Sequence, residues 1–112
     1  MVRSIFIDSK NAVWIGTQIG LNKITNGTTV AHYFYDSNLS SGDDITTIFE
    51  DKNNTIWVGT KAKGLFKLNQ NNTFEKVILD SKKDAFSNVH SILEDNDFNL
   101  WISTNTGLVK YG

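Results

Sequence analysis

Cysteine and proline are both missing from this chain of 112 residues. Without cysteine there is no disulfide, no thiolate metal site and no cysteine nucleophile, although no compartment follows from that. A charge excess of either sign is missing too. Eleven Lys and Arg residues face twelve Asp and Glu, leaving a formal charge of −1, so the electrostatic footprint of a nucleic-acid binder or of a protein held on an anionic membrane is absent. No apolar run is long enough to span a bilayer, and no membrane contact is expected of this segment. Met1-Val2-Arg3-Ser4 leads straight into an expected strand, so no signal peptide is read. Helical periodicity is absent as well. With 39% hydrophobic and 12% aromatic residues, the chain is nonetheless rich enough in apolar side chains to fold.

What is present is a repeat. Trp14, Trp57 and Trp101 stand 43 and 44 residues apart, and three segments align around them: Val2 to Ile24, Ile45 to Leu68, and Val89 to Tyr111. Each contains an apolar-Trp-apolar-small-Thr cluster followed by a Gly-Leu pair. The repeat units are 2–44, 45–88 and 89–112 of a single segment, 1–112. Within each, an alternating strand is expected first, at Val2 to Ile7, Ile45 to Glu50 and Val89 to Glu94. Polar turns follow, at Asp8 to Ala12, Asp51 to Thr55 and Asp95 to Asn99. The second strand carries the Trp and ends at Thr17, Thr60 or Thr104. A third opens at Gly20, Gly64 or Gly107 and ends at Ile24, Leu68 or Tyr111. A fourth, at Thr29 to Tyr35 and Thr73 to Leu79, belongs to the first two repeats only.

Four short antiparallel strands per repeat of this length predict an all-β fold of β-propeller blades, about two and a half of them. A β-solenoid is the rival architecture, with shorter and more uniform rungs. Eleven strands do not close a ring, so the ring is incomplete unless the chain belongs to a longer one or several copies assemble.

At these residues the chain resembles the two-component regulator propeller repeat. Glu50-Asp51, Trp57-Val58-Gly59-Thr60 and Gly64-Leu65 carry the likeness in the second repeat. Glu94-Asp95, Trp101-Ile102-Ser103-Thr104 and Gly107-Leu108 carry it in the third; Asp8, Trp14-Ile15-Gly16-Thr17 and Gly20-Leu21 in the first. The family's turn glycine is replaced by Asn11, Asn54 and Phe98, and its second-strand glycine by Ser103 in the third repeat. Asn suits positive φ and Phe does not, so the third turn is expected to take a different conformation. The resemblance implies an extracytoplasmic sensor propeller, part of the input region of a hybrid two-component protein, responding to a small-molecule or glycan ligand. It implies no kinase activity here, because no kinase segment is present.

Candidate site residues come from the least repetitive positions. The loops after the second strands place Gln18, Lys61, Lys63 and Asn105 around a prospective groove, together with the inter-blade loops Asp36 to Asp44 and Asp80 to Asn88. His90 joins them because it aligns with Arg3 and Thr46, the one varied polar column of an otherwise uniform inner strand. Trp14, Trp57 and Trp101, the threonines Thr17, Thr60 and Thr104, and the glycines Gly20, Gly64 and Gly107 read as structural. Ser4, Thr47 and Ser91 read as small residues that let blades approach. Asp95-Asn96-Asp97-Phe98-Asn99 begins like a calcium loop but lacks its glycine and distal Glu, so it reads as a turn. No cofactor, no metal and no catalytic residue is expected, and His32 reads as a surface or packing residue. The function expected is a non-catalytic, ligand-binding sensory propeller fragment whose partners are its ligand and other propeller blades. A self-assembling structural module is the alternative, and a lyase-type propeller enzyme a more distant one.

Overall fold

The computed structural model describes residues 2–33, 44–77 and 88–111. Eleven strands run in chain order: β1 (Val2–Ile7), β2 (Val13–Thr17), β3 (Leu21–Thr25), β4 (Thr29–Tyr33), β5 (Ile45–Glu50), β6 (Ile56–Thr60), β7 (Leu65–Leu68), β8 (Phe74–Val77), β9 (Val89–Glu94), β10 (Leu100–Thr104) and β11 (Gly107–Tyr111). They form three antiparallel sheets, β1-β2-β3-β4, β5-β6-β7-β8 and β9-β10-β11. Strands β1, β5 and β9 touch in succession, as the innermost strands of blades do around a shared axis. The fold is the all-β propeller architecture expected from the repeat, with its arc left open. Strands β3 and β7 begin one residue after Gly20 and Gly64, and β3 runs on to Thr25. In the fourth strands, β4 starts at Thr29 and β8 at Phe74; the expected extensions to Tyr35 and Leu79, and most of both inter-blade loops, lie outside the described residues.

Period-two alternation decides how the blades stack, because successive side chains leave a strand on opposite faces. In β2, Trp14 and Gly16 are buried while Val13, Ile15 and Thr17 are only half-buried. In β10 the phase reverses: Leu100 and Ile102 are buried and Trp101 is not. All five residues of β6 are buried, since the middle blade is covered on both faces. Each interface is therefore one Trp face meeting one aliphatic face. Trp14, Leu21, Phe6 and Tyr33 of the first blade pack on Ile45, Ile48, Ile56, Val58, Leu68 and Phe74 of the second. Trp57, Leu65, Val77 and Phe49 of the second pack on Val89, Ile92, Leu100, Ile102 and Val109 of the third. Trp14 is fully enclosed, with the Phe74 ring edge-on at 6.1 Å, a favoured aromatic geometry.

Close approach of the blades rests on two glycines. A Cβ added at Gly16 would lie 2.7 Å from Ile45 Cγ2 of the next blade, and one at Gly59 would lie 2.6 Å from Val89 Cγ1. Both distances are shorter than carbon atoms tolerate. Ser4 and Thr47, expected to be the small residues of this contact, lie across the ladder from those glycines.

The expectation about the third turn is wrong. Phe98 has φ 65°, against 66° at Asn11 and 64° at Asn54, and the backbone bonds match: Asp95 N to Asn99 O at 2.9 Å repeats Asp8 N to Ala12 O at 3.0 Å. The cause is the preceding aspartate. In every repeat its Oδ1 accepts two backbone N–H groups of the turn, and its Oδ2 accepts the indole N–H of the Trp six residues on, at 2.8 Å each time. Those bonds fix the turn and override the local preference of the residue at positive φ.

Candidate functional site

Each inner strand is bulged at one position. Val2 pairs with Thr17 and Ser4 with Gly16, leaving Arg3 unpaired. Ile45 pairs with Thr60 and Thr47 with Gly59, leaving Thr46 unpaired. Val89 pairs with Thr104 and Ser91 with Ser103, leaving His90 unpaired. A bulge sets two residues against one and re-aims a side chain off the ladder. The re-aimed residues are the column Arg3, Thr46 and His90.

These three line one open groove of about 370 Å³ with Asp44, Lys61, Asn88 and Val89. The Arg3 guanidinium meets Asp44 Oδ2 at 3.3 Å, and Thr46 Oγ1 donates to the Val89 carbonyl. In both, a bulged side chain reaches the start of the next blade's inner strand. Asp44 Oδ1 is buried without a hydrogen-bond partner among the described residues, an acceptor with spare capacity in the wall of the groove. The entries to β5 and β9 are held from the loop after the Trp strand of the same blade: Lys61 N–H donates to Asp44 O at 2.9 Å, and Asn105 N–H to Asn88 O at 3.0 Å.

Of the five expected site residues, the structure brings two together, Lys61 and His90. Gln18, Lys63 and Asn105 are exposed on their loops and do not line the groove. Asp44 and Asn88, the last residues of the two inter-blade loops expected around the groove, stand in its wall, whereas Arg3 and Thr46 were noted only as aligned with His90. A signal was available: the buried apolar pairs Ile45/Ile48 and Val89/Ile92 are three apart, and an odd spacing on one face of a strand requires a bulge between them. His32 lies on the outer strand β4 with Nδ1 2.5 Å from Asn22 Oδ1, far in the sheet order from the groove.

The turn end of each blade is a different environment. Asp95 collects N–H groups of Asp97, Asn99 and Trp101. The Trp101 indole, foremost, holds its carboxyl down at about 2. Burial pushes Asp8 up, but the bonds from Trp14, Ala12 and Lys10 and the charge of Lys23 outweigh it, leaving the carboxyl below its usual range. With both carboxylate oxygens engaged internally, these aspartates act as structural acceptors.

Comparison with known proteins agrees with this architecture. A family model for the two component regulator propeller matches residues 38–62. Histidine kinase P4 of Formosa agariphila is 52% identical over 71 residues, covering 58% of this chain and 5% of that protein. The extracellular domain of the hybrid two component system BT3049 from B. thetaiotaomicron superposes with TM-score 0.75 at 28% identity, over 97% of this chain and 14% of that one. The corresponding domain of BT4673 gives TM-score 0.76 at 24% identity, over 98% and 15%. The chain thus spans a small part of the length of each relative it matches. No helix among the described residues is long and apolar enough to cross a membrane. The Trp-centred units of this chain are thus similar to two-component regulator propeller repeats, and the Trp strand of the second falls within the family match.

Proposed function

We infer that the chain is a non-catalytic sensory part of a two-component regulator-type protein, and that it takes a small polar ligand in the groove of the bulged residues. One observation carries this. The inner strands keep Ile5, Ile48 and Ile92 constant, yet their bulged positions hold Arg, Thr and His, and those three side chains face the same space. Packing demands uniform columns, and a column of Arg, Thr and His at the position that leaves the ladder fits recognition. Arg3 and Lys61 offer donors and positive charge, Asn88 offers both donor and acceptor, and Thr46 Oγ1, whose proton goes to Val89 O, accepts, as does Asp44 Oδ1. That set suits a ligand bearing hydroxyls and one acidic group, such as a sugar acid or a glycan fragment. A place outside the cytoplasm accords with BT3049, whose matching part is an extracellular domain.

A lyase-type reading has less support. Such chemistry needs a histidine and an acid acting together, and the acid that shares the groove with His90, Asp44, is paired with Arg3 at 3.3 Å.

A thermal-shift screen of neutral sugars, uronic acids and their oligomers tests the proposal, since a ligand that binds only the native state raises Tm. The expected hit is an acidic sugar, with Arg3→Ala and His90→Ala each weakening it at least tenfold. A confirmed shift that survives the triple replacement of Arg3, Lys61 and His90 by Ala would remove the groove from consideration.

A further inference from the structure

We propose that the open flank of the third blade is a docking surface for a blade of different sequence, one whose inner strand begins with Gly or Ala and ends in Glu, and that a second copy of this chain does not fit it.

The two interfaces inside the chain supply the rule. At each, the last residue of the incoming inner strand is a glutamate that latches onto the previous blade's turn. Glu50 Oε1 accepts Ser9 N–H at 2.8 Å and Oε2 accepts Ser9 Oγ–H at 2.7 Å; Glu94 Oε1 accepts Lys52 N–H at 2.8 Å. These are charge-assisted bonds of the stronger kind. At each, too, the first residue of the incoming strand, Ile45 or Val89, seats its branched side chain on a glycine.

The open flank changes one partner of that rule, the glycine, and keeps the other, the backbone donor. The residue corresponding to Gly16 and Gly59 is Ser103, whose Oγ lies 2.8 Å from Ser91 Oγ. The latch donor corresponding to Ser9 and Lys52 is the N–H of Asn96. The only incoming strand that a second copy offers is β1, which begins with Val2 and ends with Ile7, both exposed at 56% and 63%. Docked as the third blade docks on the second, Val2 would press on a Cβ where Val89 rests on none. Ile7 would bring an apolar side chain to the Asn96 N–H where Glu94 brings a carboxylate to Lys52. The surrounding apolar surfaces, Leu93 and Leu108 on one flank and Ile5 on the other, would otherwise attract. Specificity comes from the two mismatched contacts, a repulsive element beside an attractive one.

Light scattering and sedimentation of the whole chain test this independently of any ligand. The wild-type chain is expected to stay monomeric where two double variants assemble head to tail at tenfold or lower concentration. Val2→Ala with Ile7→Glu supplies the stated partner chemistry, and Ser103→Gly with Ile7→Glu restores the cradle instead. Adding Asn96→Pro should cancel either gain by deleting the latch donor, at a position of the turn that accepts proline. Circular dichroism checks that each variant is folded, and a misfolded pair leaves the other to decide. The proposal is overturned if the wild-type chain assembles as readily as the variants, or if a folded double variant remains as monomeric as wild type.

Discussion

The aspartate that precedes each Trp by six residues does several jobs with one carboxylate, which makes the chain sensitive to acid in a defined direction. Asp8 and Asp95 have depressed pKa values in the folded state, so they stabilise it above the unfolded carboxylate value of about 4. That stabilisation is lost as pH falls through the folded value, about 2 for Asp95. Urea midpoints are therefore expected to fall between about pH 4 and pH 2, and Asp95→Asn should flatten that limb. An unchanged acid limb in the variant would count against this account. Phe98 sits in the left-handed region on the strength of the same carboxylate network. Left-handed geometry costs a non-glycine residue about 1–2 kcal/mol, and the Lys52 ammonium 5.0 Å from the ring returns only about 0.5–1 kcal/mol. Phe98→Asn should accordingly raise stability by roughly 0.5–1 kcal/mol, readable as a higher denaturation midpoint at constant slope.

At the scale of strands, the glycines that let blades approach are more demanding than the glycines of turns. Gly59→Ala drives a methyl against Val89 Cγ1 at 2.6 Å and Thr47 Cγ2 at 2.7 Å, and overpacking of this kind costs about 1–3 kcal/mol. Gly27, at φ 75°, has nothing within 4 Å of an added Cβ, so Gly27→Ala should cost about 1 kcal/mol from backbone strain alone. Chemical denaturation of both variants should rank them in that order. Inner strands β1, β5 and β9 were legible to the residue, because β-branched and aromatic residues bounded by Asn- and Asp-rich turns leave one reading. What went unread was which residue of an inner strand leaves the ladder. Alternation was read over each strand as unbroken, while the odd spacing of Ile45 and Ile48 hides a bulge at Thr46. The candidate residues also divide between the groove and the open loops beside it. Gln18, Lys63 and Asn105 share loops with Lys61 or its counterparts, but Lys61 alone among them borders the groove. The third turn was misjudged from Phe98 alone because the stronger determinant, Asp95, acts through its side chain on groups two to six residues away.

For the whole molecule, stacking makes the middle blade the most protected part of the structure. Strand β6 is buried throughout, whereas most residues of β1 and β11 are exposed. In a stack whose units contact only their neighbours, stability is the sum of unit and interface contributions, so the outer blades open first. Hydrogen exchange should find the amides of β6 slowest and those of β4 and β11 faster by two orders of magnitude or more, an opening difference of about 3 kcal/mol. Trp57→Ala removes a side chain from the second interface and should cost about 3–5 kcal/mol, with the third blade's exchange accelerating more than the first's. Uniform exchange across all three blades would mean that the chain opens as one unit.

The bulge at the head of every inner strand has a consequence for how such a repeat can change over time. Substituting a ladder residue disturbs its sheet, its neighbour or both, but the displaced residue answers to neither pairing. Arginine and threonine already reach the next blade there by unlike means, an ion pair in one case and a hydroxyl bond in the other. One slot per blade is thus left open to rewriting while the frame stays fixed, so that a stack of near-identical units presents a differently lettered surface at each turn.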